Sequence, residues 1–181
     1  MNDFREDFKY QSEFIESIKQ IVGPHLLVPA PLEIDQNEAT DLLVLRGRDM
    51  RIGCRVRRPG VSDKYPWEFT IRMWRRSGAK TEMRKIVEGW GDWFFYGHAS
   101  GSGTQLVRWL LIDLHAFRCQ LIEDRFRKRP RIRWKKRNNE DGASAFYAFD
   151  ATSFESSPPL CIAASDSVPR LRLVENRIGG R

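Results

Sequence analysis

The chain has 181 residues, of which 41% are hydrophobic and 30% are charged, and its net charge is +7. This length and hydrophobic content predict a single folded domain over residues 1–181 and argue against extensive disorder. The positive charge favours an anionic partner, such as nucleic acid, an anionic membrane surface or an acidic protein. Three well-separated cysteines argue against a disulfide scaffold and a structural zinc site. The charged N-terminus and short apolar runs predict a cytoplasmic protein without a membrane-spanning segment.

The first predicted element is an amphipathic helix over residues 2–22. Its apolar residues recur at helical spacing: Phe4, Phe8, Ile15, Ile18 and Val22. Residues 28–40 contain prolines and turn formers and are predicted to be irregular. Two strands are then predicted within residues 39–58, "TDLLVL" and the alternating "MRIGCRVRR", joined by "RGRD" as a hairpin turn. A third strand, "EFTIRMW", completes a predicted meander.

A short helix is predicted to begin near Thr81 and to end at Gly89 and Gly91. The strands "DWFFYGHA" and "QLVRWLLIDL" follow, and then the helix "HAFRCQLIEDRF". Residues 125–137 are predicted to be a basic loop, and residues 138–181 a C-terminal strand-like segment and tail. The order αβββαββα predicts an α+β fold with a central mixed β-sheet flanked by helices, whose core sheet and helices lie within residues 39–122.

The "TDLLVL" strand and its neighbours carry a family resemblance over roughly residues 1–120. The element order is similar to the core of the PD-(D/E)XK nuclease superfamily, in which an Asp opens one strand and Glu-x-Lys lies on the next. The match places Asp41 at the metal-ligand position, while residues 54–56 hold Cys-Arg-Val instead of Glu-x-Lys. The stretches "FTIR", "RSGAKTE", "GWGDW" and "DGxxxFxxFD" also resemble uncharacterised phage-encoded proteins.

The resemblance implies Mg²⁺-dependent hydrolysis of a phosphodiester bond. Asp41 and Glu82 are the implied metal ligands, with Glu82 moved onto the helix as in some members of the superfamily. Lys85 is implied to stabilise the developing charge or to position water, so that all three are candidate catalytic residues. The alternative is structural: Asp41 caps or pairs with an arginine, and Glu82 begins the helix or pairs with Lys85 or Arg84 on its surface.

Two basic clusters predict a nucleic-acid interface. In the first, on the predicted hairpin and the next strand, Arg55, Arg57 and Arg72 are expected to bind phosphate. The second cluster lies in residues 125–137, where Trp134 is expected to stack on a base. Its predicted phosphate contacts are Arg127, Lys128, Arg131, Arg133 and Lys135. The alternative for both clusters is a solvated surface whose charges pair with local acids.

Three further side chains have two interpretations each. His98 ends an apolar strand, and a histidine satisfied by backbone groups is a better interpretation than an acid–base catalyst. Cys54 would be a nucleophile if the flanking arginines lowered its pKa, but its alternation with Ile52 and Val56 favours a small core residue. Asp113 is predicted to be either a cap of the helix that follows it or a turn former.

These features together predict a phage- or prophage-type nucleic-acid-binding protein, with DNA or RNA as partner and with Mg²⁺ as cofactor if it cuts. The alternative function is a catalytically inactive phage protein that binds a host protein, such as an anti-defence inhibitor. A nuclease should need Asp41 and a divalent metal. A nucleic-acid binder should lose affinity with salt and keep it in chelator, whereas an inhibitor should respond to neither.

Overall fold

A computed structural model describes residues 4–29, 42–44, 50–102 and 105–165. Within these ranges the helices are α1 (Phe4–Ser12), α2 (Ile15–Val22), α3 (Glu82–Val87) and α4 (Leu114–Arg125). The strands are β1 (Leu27–Pro29), β2 (Leu42–Val44), β3 (Ile52–Arg57), β4 (Glu68–Arg75), β5 (Trp93–Ala99), β6 (Leu106–Asp113), β7 (Trp134–Asn138), β8 (Ser144–Asp150) and β9 (Cys161–Ala164). Short 3₁₀ turns occupy Gly23–Leu26 and Ala151–Ser153.

The strands form two sheets and a small ribbon. Sheet I has the order β3-β5-β6-β9, with β3 parallel to β5 and the other neighbours antiparallel. Sheet II has the order β4-β8-β7 and is antiparallel throughout. Strands β1 and β2 pair with each other. The predicted α+β class is confirmed, and Sheet I is mixed as expected, but the strands are divided between two sheets instead of forming one.

Sheet I carries the core on both of its faces. Successive residues of a strand point to opposite faces, so the fully buried run of β5 contributes to two layers. One face packs on the N-terminal helices through Phe14, Ile18, Val22, Val56, Trp93, Phe95, Ala99, Leu111 and Ala163. The other face packs on Sheet II and α4 through residues that include Phe69, Ile71, Phe94, Tyr96, Ile112, Phe117 and Phe149.

The N-terminal helix predicted over residues 2–22 is interrupted. Helices α1 and α2 are separated at residues 13–14, where the N–H of Phe14 donates to the carbonyl of Gln11 at 3.2 Å. The Phe14 side chain is 1% exposed and belongs to the core, whereas Ile15 is 37% exposed. Burial of Phe14 therefore sets the face of α2 that meets Sheet I, together with the correctly predicted Ile18.

The predicted hairpin within residues 39–58 is wrong in its pairing. Strand β2 pairs with β1, and β3 pairs in parallel with β5. The expected turn at residues 46–49 and the residue Asp41 lie outside the described residues. A parallel pair needs a crossover connection, which β4 and α3 supply here. Because β4 belongs to Sheet II, the predicted three-strand meander is also wrong.

The basic segment of residues 125–137 is only partly a loop. Arg125 ends α4, and residues 134–137 lie in β7, an edge strand of Sheet II. Residues 126–133 form the connecting loop. Strand β8 agrees with the expected strand-like segment, while β9, which joins Sheet I, is not apparent in the sequence. Residues 166–181 lie outside the described part of the chain.

The local end signals of both later helices are confirmed. The Thr81 hydroxyl accepts the N–H of Arg84 at the start of α3, and Gly89, with φ of 90°, follows its end. The carboxylate of Asp113 accepts the N–H groups of His115 and Ala116 at 2.7 and 3.1 Å and so caps α4. None of the helices in the described residues is long and apolar enough to cross a membrane.

Candidate nucleic-acid interface

Residues 125–137 form a cationic surface, which we call the β7 surface. The buried carboxylate of Asp124 holds its loop by accepting the N–H groups of Arg131 at 2.6 Å and of Ile132 at 3.4 Å. The Ile132 side chain is itself buried in the core. These contacts anchor the backbone of the loop to the end of α4, while most of its charged side chains remain in solvent.

Four of the nine cations of this surface pair with three carboxylates. Arg127 and Arg131 share Glu155 at 3.1 and 3.0 Å. The other pairs are Arg133–Asp150 at 2.6 Å and Arg137–Glu68 at 2.8 Å. Two carboxylates therefore engage three of the predicted phosphate contacts, Arg127, Arg131 and Arg133, in agreement with the alternative interpretation for those residues.

The other five cations of the β7 surface are exposed and have no carboxylate partner among the described residues. They are Arg125, Lys128, Arg129, Lys135 and Lys136. Lys128 and Lys135 were predicted as phosphate contacts, and both are sterically accessible for that role. The surface thus keeps a positive surplus after its internal ion pairs are formed.

Two aromatic side chains accompany this surplus charge. Phe126 is 82% exposed and Trp134 is 52% exposed. The indole of Trp134 contacts the ring of Tyr147 edge to face, with 4.9 Å between centroids. This contact restricts the orientation of the indole, and about half of the side chain remains available to a ligand, as a stacking role requires.

The Arg133–Asp150 pair is supported by the neighbouring residue Thr152. Burial alone would raise the pKa of Asp150, but hydrogen bonds from Thr152 and Arg133 outweigh it and hold that pKa below its ordinary value. Asp150 therefore stays ionised at neutral pH, and it keeps Arg133 against the surface of Sheet II. Arg133 therefore has a structural role in the β7 surface, which limits its availability for binding a ligand.

The first predicted cluster lies where the two sheets meet, and Arg55 is engaged there. Its Nη1 donates to the carbonyl of Thr70 at 3.1 Å, and its Nη2 lies 2.5 and 2.6 Å from the two carboxylate oxygens of Glu82. The Arg55 side chain is 13% exposed. Arg55 thus ties β3 to β4 and α3, and it could bind phosphate only by releasing Glu82.

Glu82 is satisfied by nitrogen donors and not poised to hold a metal. Besides Arg55, the backbone N–H of Arg72 donates to its Oε2 at 3.0 Å. A carboxylate that already accepts a guanidinium and an amide does not fit a Mg²⁺ site, which needs free hard oxygen ligands. Lys85 is exposed on α3, and Asp41 lies outside the described residues. The described ranges contain no group of three or more His, Cys, Asp or Glu side chains that could hold a metal.

Arg57, His98 and Arg108 form a cross-strand row on one face of Sheet I, one each on β3, β5 and β6. The guanidinium of Arg57 lies over the ring of Phe146 at 5.9 Å, and that of Arg108 lies over Trp67 at 4.8 Å. His98 is 2% exposed, and its Nδ1 has no hydrogen-bond partner among the described residues. The expectation that backbone groups satisfy this ring is therefore wrong for Nδ1.

Burial and the two flanking arginines keep His98 neutral. Burial first, and then the charges of Arg57 and Arg108, lower the pKa of His98 to about 4. Cys54 behaves as a core residue, because burial raises the pKa of its thiol and it packs in the cluster beneath the N-terminal helices. The hypothesis of an arginine-activated thiol is not supported.

An open groove of about 320 Å³ lies at one end of Sheet II, next to the β7 surface. Its lining residues are Met73, Trp74, Lys136, Asn138, Gly142, Ser144 and Ala145. Sequence reasoning missed this feature. In regular alternation Trp74 would share a face with Arg72, but the register of β4 shifts between those two residues, and no residue pattern announces that shift.

Comparisons with known proteins add no support for a family or a function. No protein-family model, no curated protein and no solved structure matches the chain. The resemblance to PD-(D/E)XK nucleases therefore stays a prediction, as do the catalytic and metal-binding roles of Asp41, Glu82 and Lys85. What the described residues do bring together is the surplus charge and exposed rings of the β7 surface.

Proposed function

We propose that this protein binds nucleic acid through the β7 surface, in the cytoplasm of a phage-infected or prophage-carrying bacterium. The observation that supports it is the group of five exposed cations without carboxylate partners, beside the exposed rings of Phe126 and Trp134. Cations that neutralise phosphates release counterions and supply most of the affinity for nucleic acid. Exposed rings add stacking on bases. Both DNA and RNA fit this chemistry.

The position of β7 at the edge of Sheet II supports the same proposal. Adjacent residues of a strand point to opposite faces, so Lys135 and Lys136 present charge on both sides of the edge. The loop before the strand adds Lys128 and Arg129. A phosphate backbone running along this edge would therefore meet cations on either side of it, without any change in the ion pairs that hold Arg127, Arg131 and Arg133.

Binding, and not cleavage, is the function that the geometry favours. Glu82 accepts hydrogen bonds from Arg55 and from the backbone of Arg72, and it could hold a metal only by releasing them. Metal-dependent cleavage is kept as a second hypothesis that rests on Asp41. The binding proposed here needs no metal, and we expect the affinity to be the same with Mg²⁺ and with EDTA.

The proposal is tested by fluorescence anisotropy with labelled DNA and RNA oligonucleotides over a range of salt concentrations. The test variant changes three exposed lysines of the β7 surface to glutamine: Lys128, Lys135 and Lys136. Loss of three phosphate contacts should reduce the slope of log K against log salt by roughly 2 to 3, from the contribution of about 0.7 to 0.9 per contact.

A matched variant removes the same charge elsewhere. It changes three other exposed lysines to glutamine: Lys9, Lys19 and Lys64. We expect this control to keep the wild-type slope. Equal losses in the two variants would mean that net charge alone attracts nucleic acid and would refute the β7 surface. If the protein binds neither DNA nor RNA, the proposal is refuted and a host protein becomes the partner to test. Cutting of the same oligonucleotides in Mg²⁺ that disappears in Asp41→Asn would support the second hypothesis.

A further inference from the structure

The groove at the end of Sheet II is shaped by an irregularity in β4. The register shifts between Arg72 and Trp74, so that Trp74 stands opposite Ala145 of β8. A bulge of this kind redirects the side chain that follows it. Trp74 consequently lies on the face that Lys136 and Asn138 share on β7, and its side chain is 46% exposed.

A small residue in the middle of a cross-strand row makes the floor of the groove. Trp74 pairs with Ala145, and Ala145 pairs with Asn138 on the next strand. Neighbouring strands are about 4.8 Å apart, so the Cα positions of Trp74 and Asn138 are roughly 10 Å from each other across the alanine. Ala145 is itself only 3% exposed, so a flat ring would lie against the exposed side of the indole, with the amide near its edge, and not directly on the alanine.

Three polar groups of the groove have no hydrogen-bond partner within the described residues: the side chains of Asn138 and Lys136 and the indole N–H of Trp74. The Ser144 hydroxyl, in contrast, accepts from the amide of Asn139 at 2.7 Å. An asparagine amide offers both a donor and an acceptor, which is the pairing that the edge of a nucleobase requires. A lysine ammonium binds phosphate as a point charge.

The charges near the groove differ from those of the β7 surface. Glu140 and Asp141 belong to the turn between β7 and β8, with Asp141 accepting the N–H of Ala143 at 2.9 Å. They partly offset Lys136 and the guanidinium of Arg76, which borders Gly142. Electrostatic attraction alone would therefore not bind a ligand in the groove. Stacking on Trp74 would have to supply much of the affinity.

We propose that this groove takes one unpaired base of a single-stranded nucleic acid, stacked on Trp74 and hydrogen-bonded by Asn138. The inference rests on the proposed nucleic-acid function and names its substrate class. Trp134 lies four residues from Asn138 on the same face of β7, so the Cα positions of Trp134 and Trp74 are roughly 17 Å apart with Lys136 between them. Bases in a duplex are stacked on each other and cannot reach either ring, which makes a single strand the preferred ligand.

The test compares single-stranded and duplex oligonucleotides of the same sequence in an anisotropy titration with Trp74→Ala. Loss of a stacked base should weaken binding of the single strand by about 5- to 150-fold. Duplex affinity should change little. Trp74→Phe keeps a ring in the groove and should retain most of the wild-type affinity. Asn138→Ala should weaken single-strand binding without changing its salt dependence.

Trp90→Ala is the matched control, because Trp90 is 54% exposed and lies after α3, outside the groove. Trp90→Ala should bind as the wild type does. Thermal melting should show that Trp74→Ala and Trp90→Ala are both folded. Wild-type affinity in Trp74→Ala, or equal losses in Trp74→Ala and Trp90→Ala, would overturn the groove. The lysine variant described above separates the two proposals: if it loses affinity while Trp74→Ala does not, the β7 surface stands and the groove falls.

Discussion

Replacing His98 should remove a defined part of the pH dependence of stability. The pKa of His98 is lowered from 6.5 to about 4 by burial and by Arg57 and Arg108. Between these two pH values the unfolded chain binds a proton that the folded chain does not, so stability falls as the pH falls. At 1.36 kcal/mol per unit, the full penalty is about 3 kcal/mol, of which about 2 kcal/mol is reached between pH 7 and pH 5.

The charged groups facing His98 give this prediction its sign. Arg57 comes from β3 and Arg108 from β6, and both oppose protonation. On Sheet II, the acid Glu68 already pairs with Arg137. Protonation of His98 would place a third positive charge in the row, in a site where the ring is 2% exposed. Burial and the two arginines therefore disfavour the imidazolium in the folded protein.

The assay is urea denaturation of the wild type and His98→Gln at pH 7 and pH 5. Acids such as Asp150 titrate in both proteins and cancel in the comparison. The wild type should lose about 2 kcal/mol more than the variant on going to pH 5. His115→Gln, at an exposed histidine of α4, is the control and should follow the wild type. Parallel losses within about 0.5 kcal/mol in wild type and His98→Gln would refute the reasoning.

Three further substitutions test local contacts by thermal or urea denaturation. Glu82→Gln leaves the guanidinium of Arg55 without its carboxylate and should cost about 1 to 3 kcal/mol; an unchanged midpoint would show that the pair does not hold the two sheets together. Asp113→Ala removes the cap of α4 and should cost about 1 kcal/mol, with no effect if the cap is replaced by solvent. Gly91→Ala, at φ of 81°, should cost about 1 to 2 kcal/mol, whereas Gly101→Ala, where an added Cβ meets nothing, should not.

Elements that depend on local signals could be predicted from the sequence. The alternation of β3 and β4, the apolar runs of β5 and β6 and the cap at Asp113 are determined by neighbours a few residues apart. Strand pairing is not local. The parallel pairing of β3 with β5 joins Ile52 and Trp93, which are 41 positions apart in the chain. It follows from burial of both faces of Sheet I, and a strand pattern alone does not identify the partner strand.

The candidate interface was predictable in position and less so in membership. The basic run of residues 125–137 locates the surface, because its charge exceeds what nearby acids in sequence can neutralise. The acids that do neutralise Arg127 and Arg133 are Glu155 and Asp150, which come from later elements. Arg55 likewise meets Glu82 only through the fold, 27 residues along the chain. The number of charges can be read from the sequence, but the ion-pair partner of each charge depends on tertiary contacts.

The lysines of β7 have a second consequence, for self-association. An edge strand presents unpaired backbone N–H and C=O groups to which a strand of another molecule can add. Lys135 and Lys136 place charge on both faces of that edge, and like charges repel an approaching copy. A polyanion that neutralises these lysines would remove the repulsion between copies. Mixtures with excess protein should therefore form larger assemblies than mixtures with excess nucleic acid.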